Sequence, residues 1–287
     1  MDLISVPYLL IAAILPVFLI CLFVYFRDPN KEPLSLLLKI FFLGLLSAIP
    51  VVIVELLLDS LFPSDVNQVS GFLHLFLNVF VGIALVEETF KWLVVKVFGY
   101  NSKEFDEIYD IIVYSVFSSL GFACIENILY VLTSGFGTAI NRAIFSIPGH
   151  TCFGVIMGFY FSKAKIASLN NMAMRKRNLV LSLLAPTLMH ALYDSLLFYG
   201  NIGSILIFLL LDLIMVIVCI CIIVSISKVQ NNVKLNIDNG VIVKTEPGNI
   251  EVVPQKIEGE KYNYCPVCGR AAGSGNFCAG CGMKLIK

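Results

Sequence analysis

A set of ionisable side chains stands in stretches of this sequence that otherwise carry almost no charge. Val86-Glu87-Glu88-Thr89-Phe90-Lys91 lies in one apolar run, Phe122-x-x-x-Glu126-Asn127 in the next, Pro148-Gly149-His150 opens a third, and His190-Ala191-Leu192-Tyr193-Asp194 lies in a fourth. A charged side chain at the centre of a membrane helix costs about 2.5–3.5 kcal/mol on insertion scales, so such residues are functional candidates when they face a cavity or a partner. Glu87 and Lys91 are four apart and share a helix face, where they can pair. Glu87 and Glu88 are successive, about 100° apart around a helix, so one is placed for chemistry while the other holds a partner. Glu126 has no basic neighbour in sequence and must find its partner on another helix. The spacing of His190 and Asp194 puts imidazole and carboxylate on one face, where the acid can orient the ring and fix its tautomer.

Each motif has a plainer reading: a salt-bridged helix end for Glu87 and Lys91, a single structural hydrogen bond for Glu126, an interfacial ring for His150, a satisfied pair for His190 and Asp194. His74, beside Asn78, reads as interfacial. Taken together, carboxylates and imidazoles suit general acid–base hydrolysis, or a metal site that activates water. They also suit a proton or cation path in a transporter or channel.

The elements that must carry these groups are membrane spans. The chain of 287 residues is 58% hydrophobic and only 14% charged, with mean hydropathy +0.89. Soluble domains are about half apolar and a quarter charged. Lys plus Arg equals Asp plus Glu at 20 each, so the basic surplus of a nucleic-acid binder is missing. A spanning helix needs about 20 mostly apolar residues. About seven such runs occur, at residues 3–26, 34–58, 79–98, 108–132, 148–161, 179–199 and 202–226, the fifth being short. The first has no basic n-region or small-residue cleavage site and is too long for a signal peptide, so it reads as a retained helix. Basic residues alternate between loops: Arg27, Lys31 and Lys39, then Lys96 and Lys103, then Lys163, Lys165 and Arg175-Lys176-Arg177, then Lys228 and Lys234. The intervening loops hold only Arg142. Cytoplasmic loops carry the excess of Lys and Arg, which predicts the N-terminus outside and the tail in the cytoplasm.

Depth tests whether the groups can meet. A third span starting at 79 puts Glu87 about 12 Å below its outer end, at 1.5 Å per residue. Glu126, His150, His190 and Asp194 then lie at overlapping depths toward the outer leaflet, as one water-accessible site would require. A start at Phe72 lowers Glu87 toward the cytoplasm and worsens the agreement.

Residues 231–261 read as a linker, with short alternating runs such as Val241–Val243 that suit strands. The end, 262–287, contains Cys265-Pro-Val-Cys268-Gly and Cys278-Ala-Gly-Cys281-Gly. Two such knuckles present four thiolates, the ligand set of a structural Zn²⁺ site, and the glycines allow the turn around the metal. This resembles the short zinc ribbons appended to many bacterial and archaeal proteins. In a reducing compartment zinc is expected over disulfides, and so small a domain needs the metal to fold. Its role could be to dock a cytoplasmic protein partner. Cys21, Cys124, Cys152, Cys219 and Cys221 have no ligand spacing and read as small buried hydrophobes.

Glu87-Glu88-x-x-Lys91, Phe122-x-x-x-Glu126, His150 and His190-x-x-x-Asp194, in this order on four successive spans, resemble the motif set of the PrsW family. That family belongs to a larger group of intramembrane proteases that includes the CAAX prenyl endopeptidases and bacteriocin-processing enzymes. The resemblance covers residues 1–230; the ribbon lies outside it. Where the CAAX relatives carry His in the second motif this chain has Glu126, and where they carry Asn in the last it has Asp194.

The expected fold is an all-α polytopic membrane protein of about seven transmembrane helices plus a small C-terminal zinc ribbon. The resemblance implies a glutamate-dependent or metal-assisted endopeptidase that cuts a membrane-protein substrate near the outer face, as the family's named member does in the first cut of a membrane-bound anti-sigma factor. In this reading Glu87 is the general base and Glu88 its helper. His190 and His150 stabilise the oxyanion or position water, Asp194 holds His190, Glu126 completes the site, and Lys91 and Asn127 support it. Alternatively Glu, His and Asp hold a catalytic metal. A transporter reading and a non-catalytic sensor or scaffold remain the alternatives; no inverted repeat of the transporter kind occurs in the chain.

Overall fold

The computed structural model describes residues 5–168 and 172–230, and beyond them the strands at 234–236, 241–246 and 249–252. The four cysteines of the expected ribbon lie outside the described residues. Among the described residues, seven helical spans are long and apolar enough to cross a membrane: Val6–Arg27, Leu34–Leu58, Phe72–Gly99, Asp110–Ser134, Phe136–Ala167, Met172–Tyr199 and Ile202–Ser227. The protein is therefore a multi-pass, helical membrane protein.

The first span is α1 (Ser5–Arg27), which ends just before Asp28-Pro29, where the proline disfavours helix for the residue ahead of it. The second is broken into α2 (Leu34–Leu46) and α3 (Ala48–Leu58). Pro50 falls in the first turn of α3, where its missing N–H is tolerated, and Ser47 Oγ donates to Gly44 O at 2.6 Å. The third comprises α4 (Phe72–Val79), a π-helical turn (Phe80–Ala84), α5 (Leu85–Val94) and a second π-helical turn (Val95–Gly99). It starts at Phe72, not 79. Asn78 is tolerated in the span because its Nδ2 donates to Pro63 O at 2.9 Å, while His74 is exposed and accepts from Ser70 N–H at 3.2 Å.

The fourth span, α6 (Asp110–Ser134), is the central post. In its most apolar window 83% of residues are buried, against 28%, 28% and 22% in the first, second and seventh spans, which therefore turn most of their surface to lipid. Glycines set how closely α6 is approached: a Cβ on Gly44 would collide with Ser118 O, and one on Gly121 with Phe41 O, so α2 and α6 cross backbone to backbone. Small residues at such crossings are how membrane helices gain packing without a hydrophobic force between them.

The fifth span is longer than the expected 148–161. α7 (Phe136–Asn141) runs through a π-helical turn (Arg142–Ser146) into α8 (Ile147–Ser168). Pro148 reads as a break in sequence, but it occupies the start of α8. Arg142 consequently lies inside a span and not in a loop. α9 (Met172–Tyr199) and α10 (Ile202–Gln230) complete the bundle. Of the other five cysteines, Cys21, Cys124, Cys152 and Cys219 are buried, but Cys221 is exposed on α10.

In the stretch read as a linker, β1 (Lys234–Asn236), β2 (Val241–Glu246) and β3 (Asn249–Val252) form an antiparallel meander in that order. In β2 and β3, Glu246 pairs with Asn249. At the end of the bundle where the basic loops gather, Asn30 Nδ2 donates to Glu107 Oε1 at 2.6 Å. Nearby, the Tyr114 hydroxyl donates to Glu32, tying the 28–33 loop to α6.

Candidate active site

Two of the π-helical turns lie just upstream of chemistry: Phe80–Ala84 precedes Glu87, and Arg142–Ser146 precedes His150. Such a turn inserts a residue and rotates everything after it by about 100°, which re-aims α5 and α8 toward α9.

Lys91 is the hub. Its ammonium has three hydrogens and no acceptor, and it has three partners: Glu87 Oε2 at 2.9 Å, Glu88 Oε1 at 2.8 Å and His150 Nδ1 at 3.2 Å. It is fully buried and sits 4.3 Å from the centroid of the Phe122 ring. A buried charge persists only when paired and hydrogen-bonded. Because Lys91 can only donate, Nδ1 of His150 accepts, so a neutral ring carries its proton on Nε2. That nitrogen lies 2.9 Å from Glu126 Oε2 and donates to it.

His190 links the two ends of the site. Its Nδ1 is 3.1 Å from Glu88 Oε1, and its Nε2 is 3.2 Å from Asp194 Oδ2 and 4.0 Å from Glu87 Oε2. With both carboxylates ionised, each can only accept, and the ring donates from both nitrogens. Phe153 stacks on the His190 ring at 4.6 Å and 19°. Ser119 Oγ donates to His150 O at 2.7 Å, fixing α8 against α6.

These groups open on one cavity of about 690 Å³, lined among others by Glu55, Glu87, Phe122, Glu126, Arg142, His150, His190 and Asp194. The two adjacent glutamates divide as their helical offset requires. Glu87 lines the cavity, whereas Glu88 is fully buried behind it. The third span's start at Phe72 removes the depth argument built on 79, yet the side chains meet, as the distances from α5 to α8 and α9 demonstrate.

Asn127 does not line the cavity. It is buried, donating from Nδ2 to Ala13 O at 2.7 Å and accepting from Arg142 Nε at 2.9 Å. Arg142 also reaches Glu126 Oε2 at 2.9 Å and lies 4.4 Å from the Tyr130 ring centroid. Sequence reasoning missed Arg142 and Glu55. The signal for Arg142 was its being the one basic residue breaking the loop alternation. For Glu55 it was a carboxylate inside the apolar run Ala48–Leu58.

One ligand atom each from Glu87, Glu88 and His190 lies within 4.8 Å of the others. Glu88 Oε2 is buried with no hydrogen-bond partner among the described residues. The site thus has acceptors, donors and a shielded counter-charge arranged around a space large enough for a stretch of peptide.

The family model described as "PrsW family intramembrane metalloprotease" matches residues 32–225. "Protease PrsW" of Oceanobacillus iheyensis is 39% identical over 189 residues, covering 66% of this chain and 82% of that protein. "Protease PrsW" of Geobacillus kaustophilus is 40% identical over 192 residues, 66% of this chain and 79% of that protein. The Bacillus subtilis "Protease PrsW" is 35% identical over 187 residues, 65% and 81% respectively. No solved structure matches this chain. Matches of this extent do not favour a transporter, and the family model spans all four motifs that converge on the cavity: the chain belongs to the PrsW family and is an intramembrane protease.

Proposed function

We propose that this endopeptidase cuts a membrane-protein substrate near the outer face of the membrane, with Glu87 as general base. The observation that carries the assignment of roles is the joining of Glu87 and His190, from α5 and α9, in one cavity. Glu87 takes a proton from a water in the cavity, and the resulting hydroxide adds to the substrate carbonyl carbon. At rest the N–H groups of His190 go to Glu88 and Asp194 and that of His150 to Glu126, so one of them turns from its carboxylate to donate to the developing oxyanion. The C–N bond then breaks as Glu87 returns the proton to the leaving amine. Asp194 and Glu88 hold the His190 ring from its two nitrogens, Glu126 holds His150, and Asn127 keeps Arg142 in reach of Glu126.

The family's description as metalloprotease implies a metal, and the donor set fits one. Glu87, Glu88 and His190 would be its ligands, His190 after losing a ring proton and Glu87 in place of its metal-free role as base, and the orphaned Glu88 Oε2 offers a free acceptor. A bound metal would polarise the scissile carbonyl and acidify a bound water. The basic loops support an N-terminus outside and a tail in the cytoplasm, with the bundle at 1–230, a linker at 231–261 and a ribbon at 262–287. There Cys265, Cys268, Cys278 and Cys281 would hold a structural Zn²⁺ and dock a cytoplasmic protein. An anti-sigma factor is the substrate class the family resemblance suggests.

Glu87→Gln and His190→Ala proteins, co-expressed with wild-type membrane proteins, are expected to lose released fragments by at least about 10²-fold, the size of a general acid–base contribution. Undiminished fragment release from both would end this mechanism.

A further inference from the structure

We propose that Glu55 is a specificity residue of the cavity, binding a cationic Lys or Arg side chain of the substrate beside the bond that is cut. The inference rests on the peptidase reading and deepens it. Glu55 is the one charged residue of α3. It lines the same cavity as Glu87, Glu126, Asp194 and both imidazoles. Its Oε1 is buried and has no hydrogen-bond partner, and the carboxylate takes part in no ion pair among the described residues.

Every other carboxylate at the site is engaged: Glu87 and Glu88 with Lys91, Glu126 with Arg142 and His150, Asp194 with His190. Five carboxylates therefore face two fixed cations, Lys91 and Arg142. Even with both imidazoles protonated the carboxylates outnumber the cations by one, and Glu55 is the one with no cation paired to it among the described residues. Its neighbours in the lining from its own span, Ala48, Val51 and Val52, are apolar. A wall of that kind with a single carboxylate matches a long basic side chain, which buries an apolar stem and carries its charge at the tip. Isolated burial of a carboxylate is costly, and an incoming cation removes that cost.

The test uses the full-length protein co-expressed with a library of single-span proteins whose juxtamembrane window outside the span is randomised, and released fragments are sequenced. Wild type is expected to enrich Lys and Arg near the cut. Glu55→Gln should lower the ratio of basic to neutral windows about tenfold, the effect of losing one charge-assisted hydrogen bond, and Glu55→Lys should shift enrichment to Asp and Glu. An unchanged ratio in both variants overturns the proposal while the peptidase reading stands. Loss of all cleavage in both, basic and neutral windows alike, in protein of wild-type melting temperature, would place Glu55 in the chemistry instead and also overturn it. A wild-type protein that releases no fragment removes the peptidase reading and this one with it.

Discussion

Replacing Lys91 with Met keeps its volume and removes the ammonium held between Glu87 and Glu88. Three bonds of 2.8–3.2 Å end on its ammonium, and removing one partner of a buried ion pair costs about 3–5 kcal/mol. For a chain of this size about 1 kcal/mol moves the melting temperature by about 2–4 °C, so Lys91→Met is expected to melt about 10 °C lower in detergent. The cost is not shared equally. Glu87 reaches the cavity and can be hydrated, whereas Glu88 is fully buried. Adding Glu88→Gln to Lys91→Met should therefore restore about half the loss, and adding Glu87→Gln markedly less. The two cycles are read by thermal unfolding of the single and double variants, with coupling taken as the departure from additivity. A Lys91→Met protein as stable as wild type, or a stronger rescue by Glu87→Gln, would refute the charge balance described for this site.

Three further outcomes are expected. Burial pushes the Glu32 carboxyl up to about 7, against the opposing hydrogen bond from Tyr114. The folded state thus holds this proton more tightly than the unfolded chain, so Glu32 costs stability as pH rises from about 4.5 to about 7 and no more above that. Glu32→Gln should flatten the melting temperature against pH in that window. Gly121→Leu places side-chain atoms where Phe41 O lies and should separate α2 from α6, seen as loss of folded protein, whereas Gly137→Ala, with nothing near its Cβ position, should leave the melting temperature unchanged within about 1 °C. Full-length protein should bind one more Zn²⁺ than the chain truncated after residue 230, measured by elemental analysis; equal zinc in both would remove the ribbon.

The seven spans were legible because long apolar runs have no other stable home, and the four motifs because ionisable residues in such runs are rare. Boundaries were not. Asn78 and His74 lower the hydropathy before residue 79, yet the partners that make them tolerable, Pro63 O and Ser70, come from a fold-dependent loop. Pro148-Gly149 reads as a break, but the helix runs on through it from the π-helical turn Arg142–Ser146 just ahead. That error hid Arg142 in a loop and left Glu126 without its nearest cation. The π-helical turns, which decide which way Glu87 and His150 point, leave no periodic trace in the sequence. Pairings across spans, such as His190 with Glu88, are 102 residues apart and depend on tertiary packing alone.

The Lys91 bridges have a consequence for biogenesis. Both are local, spaced i, i+3 and i, i+4 along α5, so the third span brings its own counter-ion into the bilayer before the ribosome has made His150 or His190. Glu126 has no such help; Arg142 arrives with the next span, so the fourth and fifth gain their charge compensation only by entering as a hairpin. Glycosylation mapping of isolated spans should read this as better insertion of the third with Lys91 than with Ala there, and as rescue of the fourth only when residues 135–167 follow it.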